Sequence, residues 1–205
     1  MSMMPAKAAT LDAWWRDGRQ VLRFGLWGLA SGCVTWALID LAHRPAVEFH
    51  PEYQLPLFGN AYLSFADLSL IPGLVFGVVV GLVLNRLGQA AARQVILYAG
   101  AATVANFAAT NLAVNVVQAG GGLDALWVGM IAGFAGAACL TALSLPLLPF
   151  TRRRRPCLLM LAAGCLLGGL LQVALGSGQD YGFLILYGAW QAGYAAALGT
   201  AVPRK

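Results

Sequence analysis

Charge in this chain is pushed to the ends of apolar stretches, each roughly 20 residues long and following one another from Val21 to Val202. A helix rises about 1.5 Å per residue, so about 20 residues cross the roughly 30 Å of hydrocarbon in a bilayer. Inside that layer backbone amides find no water, and a helix is the single-segment solution that satisfies them internally. The pattern predicts an all-α integral membrane protein. Its spans are expected near 21–42, 67–86, 94–118, 124–148, 157–175 and 181–202, packed as a compact bundle of six transmembrane helices.

Composition excludes the soluble alternative. With 60% hydrophobic and 10% charged residues among 205, the chain has too few charges to cover a water-facing surface. The first apolar run, Val21 to Ala42, is too long for the core of a signal peptide and is followed by no A-x-A pattern, so it reads as a retained first helix. Residues 1–20 carry Leu11, Trp14 and Trp15 beside Arg16 and Arg19, which predicts a short interfacial helix on the inner leaflet.

Alternate connections set the orientation. One side receives Lys7, Arg16, Arg19, Arg23, Arg86, Arg93, Arg152, Arg153, Arg154, Arg155, Arg204 and Lys205, while the other receives Arg44 alone. Such asymmetry places both termini, including the tail 203–205, in the cytoplasm, and suits a bacterial inner membrane. The net charge of +5 is thereby explained by topology, and nucleic acid is not expected as a partner. The Arg152–Arg155 run reads first as a topological anchor, with anionic lipid headgroups as the alternative.

Glycines recur every fourth residue: Gly28 and Gly32, then Gly73, Gly77 and Gly81, then Gly129 and Gly133, then Gly164 and Gly168. Spacing of this kind gives one helix face on which a neighbouring backbone approaches closely. Packing within the bundle is the first expectation; docking of a partner subunit or a second copy is the other. Cys33, Cys139, Cys157 and Cys165 lie in or beside apolar runs without a C-x-x-C pair, as small packing residues do.

Chemistry-bearing patterns are scarce. No H-E-x-x-H, P-loop or G-x-G-x-x-G occurs, and neither a catalytic residue nor a cofactor is predicted. What does lie at depth is amide. On the third span Asn111, Asn115 and Gln118 fall within about 60° of one another, with Asn106 beside them. Gln172 lies near the outer end of the fifth span, and Gln191 with Trp190 near mid-depth on the sixth, so polar groups gather toward the outer half. Two readings follow: structural hydrogen bonding between helices, or a pocket open to the outside that binds a small neutral or zwitterionic polar solute. The long first outer loop, 43–66, holds His43, Glu48, His50 and Glu52 before an apolar second half. It is expected to pack as a lid across the outer mouth. These are metal-ligand residue types, but their spacing fits no closed site and no metal is predicted.

In helix number and in this long outer loop the chain resembles the small substrate-binding membrane subunits of energy-coupling vitamin-uptake transporters. That likeness, of topology and length, implies a bundle that captures a small solute from outside under a lid. Binding or transport of a small polar solute is therefore the leading expectation. A non-enzymatic subunit or scaffold of a larger membrane complex is the alternative, and an intramembrane enzyme on lipid-linked substrate the third.

Overall fold

The computed structural model describes residues 6–42, 53–57, 61–121, 126–176 and 181–203, with backbone alone for 6–17. Seven helical segments follow in order: α1 (Ala6–Ala42), α2 (Asp67–Arg86), α3 (Ala92–Val116), α4 (Leu126–Leu147), α5 (Arg154–Gly168), α6 (Leu170–Gly176) and α7 (Tyr181–Gly199). A π turn, Val117–Gly121, ends α3, where Gly120 takes a φ of 96° that only glycine adopts at little cost. A 3-10 turn, Pro149–Arg152, separates α4 from α5.

Two boundaries differ from expectation. The first helix is one unbroken element from Ala6, rather than an interfacial helix followed by a span; no proline interrupts residues 6–42, so nothing in the backbone enforces a corner. The fifth span is divided, because a turn at Gly169 separates α5 from α6.

Among the described residues five stretches are long and apolar enough to cross a membrane: Gly18–Ala42, Leu68–Arg86, Ala92–Gly120, Leu126–Leu147 and Arg154–Leu175. The protein is thus a helical bundle with the features of a multi-pass membrane protein. Helix α7 falls outside that set because Tyr187, Trp190, Gln191 and Tyr194 interrupt its apolar run.

Sequence neighbours pack side by side, and α7 returns to α1, which closes a ring of rods. Helices α2 and α7 touch only slightly, and α1 lies over the joint between them. The seams are glycine seams. A methyl placed on Gly32 would stand 2.6 Å from the Gly188 Cα of α7, and one on Gly73 would stand 2.7 Å from the Thr103 Cα of α3. Gly133 of α4 meets Gly164 and Gly168 of α5 in the same way. The glycine faces named from sequence therefore lie inside the bundle, where close approach gains dispersion energy. On another stripe of α2, Leu70, Leu74, Val78 and Leu82 are exposed, as a lipid-facing helix requires.

The solid part of the core lies toward the arginine-bearing end. Phe24, Phe76, Val80, Leu84, Tyr98, Leu140, Leu148, Met160, Tyr194 and Leu198 form one buried cluster there. Carboxamides close the helix ends at the same level: Gln20 donates to the Gly199 and Val202 carbonyls at 3.2 and 3.0 Å, and Gln94 to that of Leu147 at 2.7 Å. Each takes up a terminal carbonyl that has no partner within its own helix.

At the other end stands the one departure from all-α structure among the described residues. Strands β1 (Tyr53–Pro56) and β2 (Tyr62–Phe65) form an antiparallel hairpin in the segment expected to be a loop, with Tyr53 opposite Phe65 and Pro56 opposite Tyr62. Proline has no N–H, so Pro56 blunts the free edge of β1 against further strand pairing.

Candidate functional site: an apolar chamber beside an amide-bound hairpin

The amides of α3 bind backbone. Asn115 accepts from the Tyr62 N–H at 3.0 Å and donates to the Tyr62 carbonyl at 2.8 Å. One helical turn earlier, Asn111 accepts from the Ser64 N–H at 2.6 Å and donates to the Ser64 carbonyl at 3.1 Å. Their remaining N–H groups return to their own helix, to the Asn111 and Phe107 carbonyls at 2.8 and 2.9 Å. The geometry matches because four helical residues advance about 6 Å and two strand residues about 6.7 Å. Two asparagines four apart thus stand in for a third strand on the inner edge of β2. Gln118 extends the contact by donating to the Tyr62 hydroxyl, and Phe65 packs on Phe107 with ring centres 4.9 Å apart. A strand edge beside a membrane helix needs its polar groups satisfied by protein, and these side chains do that.

Two further amides serve the helix interior. Pro72 lacks the N–H that would bond the Leu68 carbonyl one turn back. Asn106 donates to that carbonyl at 3.1 Å and to the Ser69 carbonyl at 2.8 Å. Gln191, 1% exposed, accepts from Ser31 and donates to Thr35 at 3.3 Å and to the Pro72 carbonyl at 3.2 Å. It ties α1, α2 and α7 together at the joint that α1 covers.

Between α2, α3, α4, the α5–α6 rod and α7 lies a chamber of about 400 Å³. Its floor is aromatic. Trp190 stacks on Tyr194 at 5.5 Å between centres, and Phe76 meets both rings edge-on at 6.2 and 5.8 Å. The walls are small or apolar, with Gly129, Gly133 and Gly136 on α4 and Ala105, Ala109 and Ala113 on α3. Toward the hairpin end the chamber meets Gln118 and Leu175, both exposed.

These positions revise the sequence-based site. Asn106, Gln118, Trp190 and Gln191 line the chamber, whereas Asn111 and Asn115 face the hairpin and Gln172 is half-buried away from the chamber. Asn111 and Asn115 form a strand cradle, because backbone partners occupy the bonds a polar solute would need, while Gln118 binds the Tyr62 hydroxyl at the exposed end of the chamber. None of the described hairpin residues lines the chamber, so their part of the 43–66 segment braces the flank of α3 rather than covering a mouth. His43, Glu48, His50 and Glu52 lie outside the described residues. Arg152, Arg153, Arg154 and Arg155 are exposed at the far end, and among the described residues no three metal-type side chains come together. Sequence reasoning missed the chamber itself. Its signal was the run of glycine and alanine at 129, 132, 133 and 136, of which only Gly129 and Gly133 were read, as a packing face.

No known protein family, curated protein or solved structure matches this chain.

Proposed function

We propose that the chain is a membrane protein of six crossings with both termini cytoplasmic, which receives the apolar body of a small neutral molecule in the chamber at its hairpin end. Helix α7 supplies the sixth crossing: it has 19 residues, runs antiparallel along α1, and turns Trp190, Gln191 and Tyr194 inward. The distribution of Lys and Arg supports the orientation and a bacterial inner membrane.

The carrying observation is an apolar chamber of about 400 Å³ without a charged side chain among the described residues that line it. The chamber opens toward the hairpin end, and covering its apolar walls with a lipid chain or ligand is favourable at about 25 cal/mol per Å² of apolar surface removed from water. A site of about 400 Å³ also lies within the range of small-molecule pockets. This reading replaces a polar solute with an apolar one. It also leaves the scaffold alternative without the glycine faces on which that alternative relied.

A photoreactive hydrocarbon chain added to protein in lipid nanodiscs tests it. Crosslinks are expected on the chamber faces of α3 and α7, and Ala113→Phe, which places a ring in the chamber, should abolish them while leaving lipid-facing labelling unchanged. Labelling confined to lipid-facing residues in the wild type would end the proposal.

A further inference from the structure

We infer that the occupant is a neutral lipid alcohol, held by a hydroxyl group at Asn106 and Thr110 with its chain on the Phe76–Trp190 floor. This rests on the chamber reading above and adds the chemistry of the ligand's polar end.

The polar groups of the chamber wall divide into committed and open ones. Gln191 is fully engaged with Ser31, Thr35 and Pro72. The amide nitrogen of Asn106 is committed as well, because it donates to the Leu68 and Ser69 carbonyls beside Pro72. Those two bonds fix which end of the carboxamide is which, and leave Oδ1 accepting no bond among the described residues. Thr110, one turn along the same wall, forms no side-chain hydrogen bond there either, although Thr103 of the same helix bonds the Ala99 carbonyl at 2.9 Å. Helical residues four apart are surface neighbours. Gln118 stands at the exposed hairpin end of the chamber, donating to the Tyr62 hydroxyl; deeper in, the wall presents the Asn106 acceptor one turn from the Thr110 hydroxyl donor.

A ligand hydroxyl completes both: its O–H donates to Asn106 Oδ1 and its oxygen accepts from Thr110 Oγ1. A carboxylate meets the Asn106 oxygen with like polarity and finds no cation among the described lining residues. A plain hydrocarbon leaves both polar atoms unsatisfied. As to size, a methylene occupies about as much room as a water's share of roughly 30 Å³, so the chamber takes on the order of a dozen carbons.

Farnesol carrying a diazirine, in nanodiscs, is the probe. Its labelling is competed with farnesol, with the hydrocarbon farnesene and with farnesoate. Farnesol should compete best. Thr110→Val, which keeps the shape and loses the donor, should weaken farnesol roughly two- to tenfold and leave farnesene unchanged, and Thr110→Ser should restore farnesol. Equal competition by farnesene or farnesoate, or a Thr110→Val protein indistinguishable from wild type, overturns the alcohol inference while the chamber stands. Absence of any label on α3 and α7 overturns the chamber reading as well.

Discussion

At the arginine-bearing end Tyr98, Tyr194, Leu140, Leu148 and Met160 fill the space between the helices, whereas at the hairpin end the same rods stand around a chamber. The difference is one of residue size along shared helices. On α4 the inward positions run Gly129, Ala132, Gly133, Gly136, then Leu140 and Ser144. On α2 they run Leu68, Pro72, Gly73, then Phe76, Val80 and Leu84. Interiors normally reach crystal-like density, so small inward residues either draw their neighbours together or leave room. Gly129 and Gly133 do both, meeting α5 backbone on one side and the chamber on the other. The two ends also employ their carboxamides differently. Gln20 and Gln94 close helix termini at the solid end, while Asn111 and Asn115 hold a foreign strand at the hollow one.

The contrast can be broken most severely at the solid end. Tyr194→Ala removes a buried ring stacked on Trp190 and the hydroxyl that meets Thr141 at 3.0 Å, and should cost about 3–5 kcal/mol in reversible unfolding from mixed micelles. A loss below about 1 kcal/mol would mean that this end is not packed as described. Next in size, the double change Asn111→Leu and Asn115→Leu frees the hairpin. Hydrogen exchange at the Tyr62 and Ser64 amides should rise at least about tenfold, with the helices still protected, since each amide link contributes roughly 0.6–2 kcal/mol. Unchanged exchange would remove the strand cradle. Smaller still is the effect of filling the hollow: Ala113→Phe should shift stability by less than about 1.5 kcal/mol, because the ring enters existing space, whereas Ala137→Phe, at a fully buried site against Gly164, should cost about 1–3 kcal/mol or more. Equal penalties would erase the distinction between the halves. Least of all, Gln172→Leu should stay within about 0.5 kcal/mol and leave labelling of the chamber unaltered.

Much of this was legible in the sequence, for physical reasons. Lipid imposes a length and polarity rule strong enough to read five spans directly, and the spacing at Gly73, Gly77 and Gly81 announced a close helix pair that α2 and α3 form. The hairpin was harder to see. Leu55, Leu57, Leu63 and Phe65 alternate only briefly, and the partner of β2 is a pair of side chains on a helix about 50 residues away, which no local pattern reports. The same asparagines misdirected the site: on one helix, an arc of amides looks alike whether it faces a ligand or a backbone. The turn at Gly169 had no proline to mark it. The chamber was hidden because a small residue in sequence signals closeness, and whether it yields contact or space depends on the opposite wall.

The central claim is that the hollow half excludes water and admits hydrocarbon. Trp190 lies on its floor and can report directly once Trp14, Trp15, Trp27, Trp36 and Trp127 are replaced by Phe. In nanodiscs its fluorescence should be quenched by a brominated alkyl chain and be indifferent to aqueous iodide. Strong quenching by iodide with none from the brominated chain would show a water-filled chamber and contradict the account.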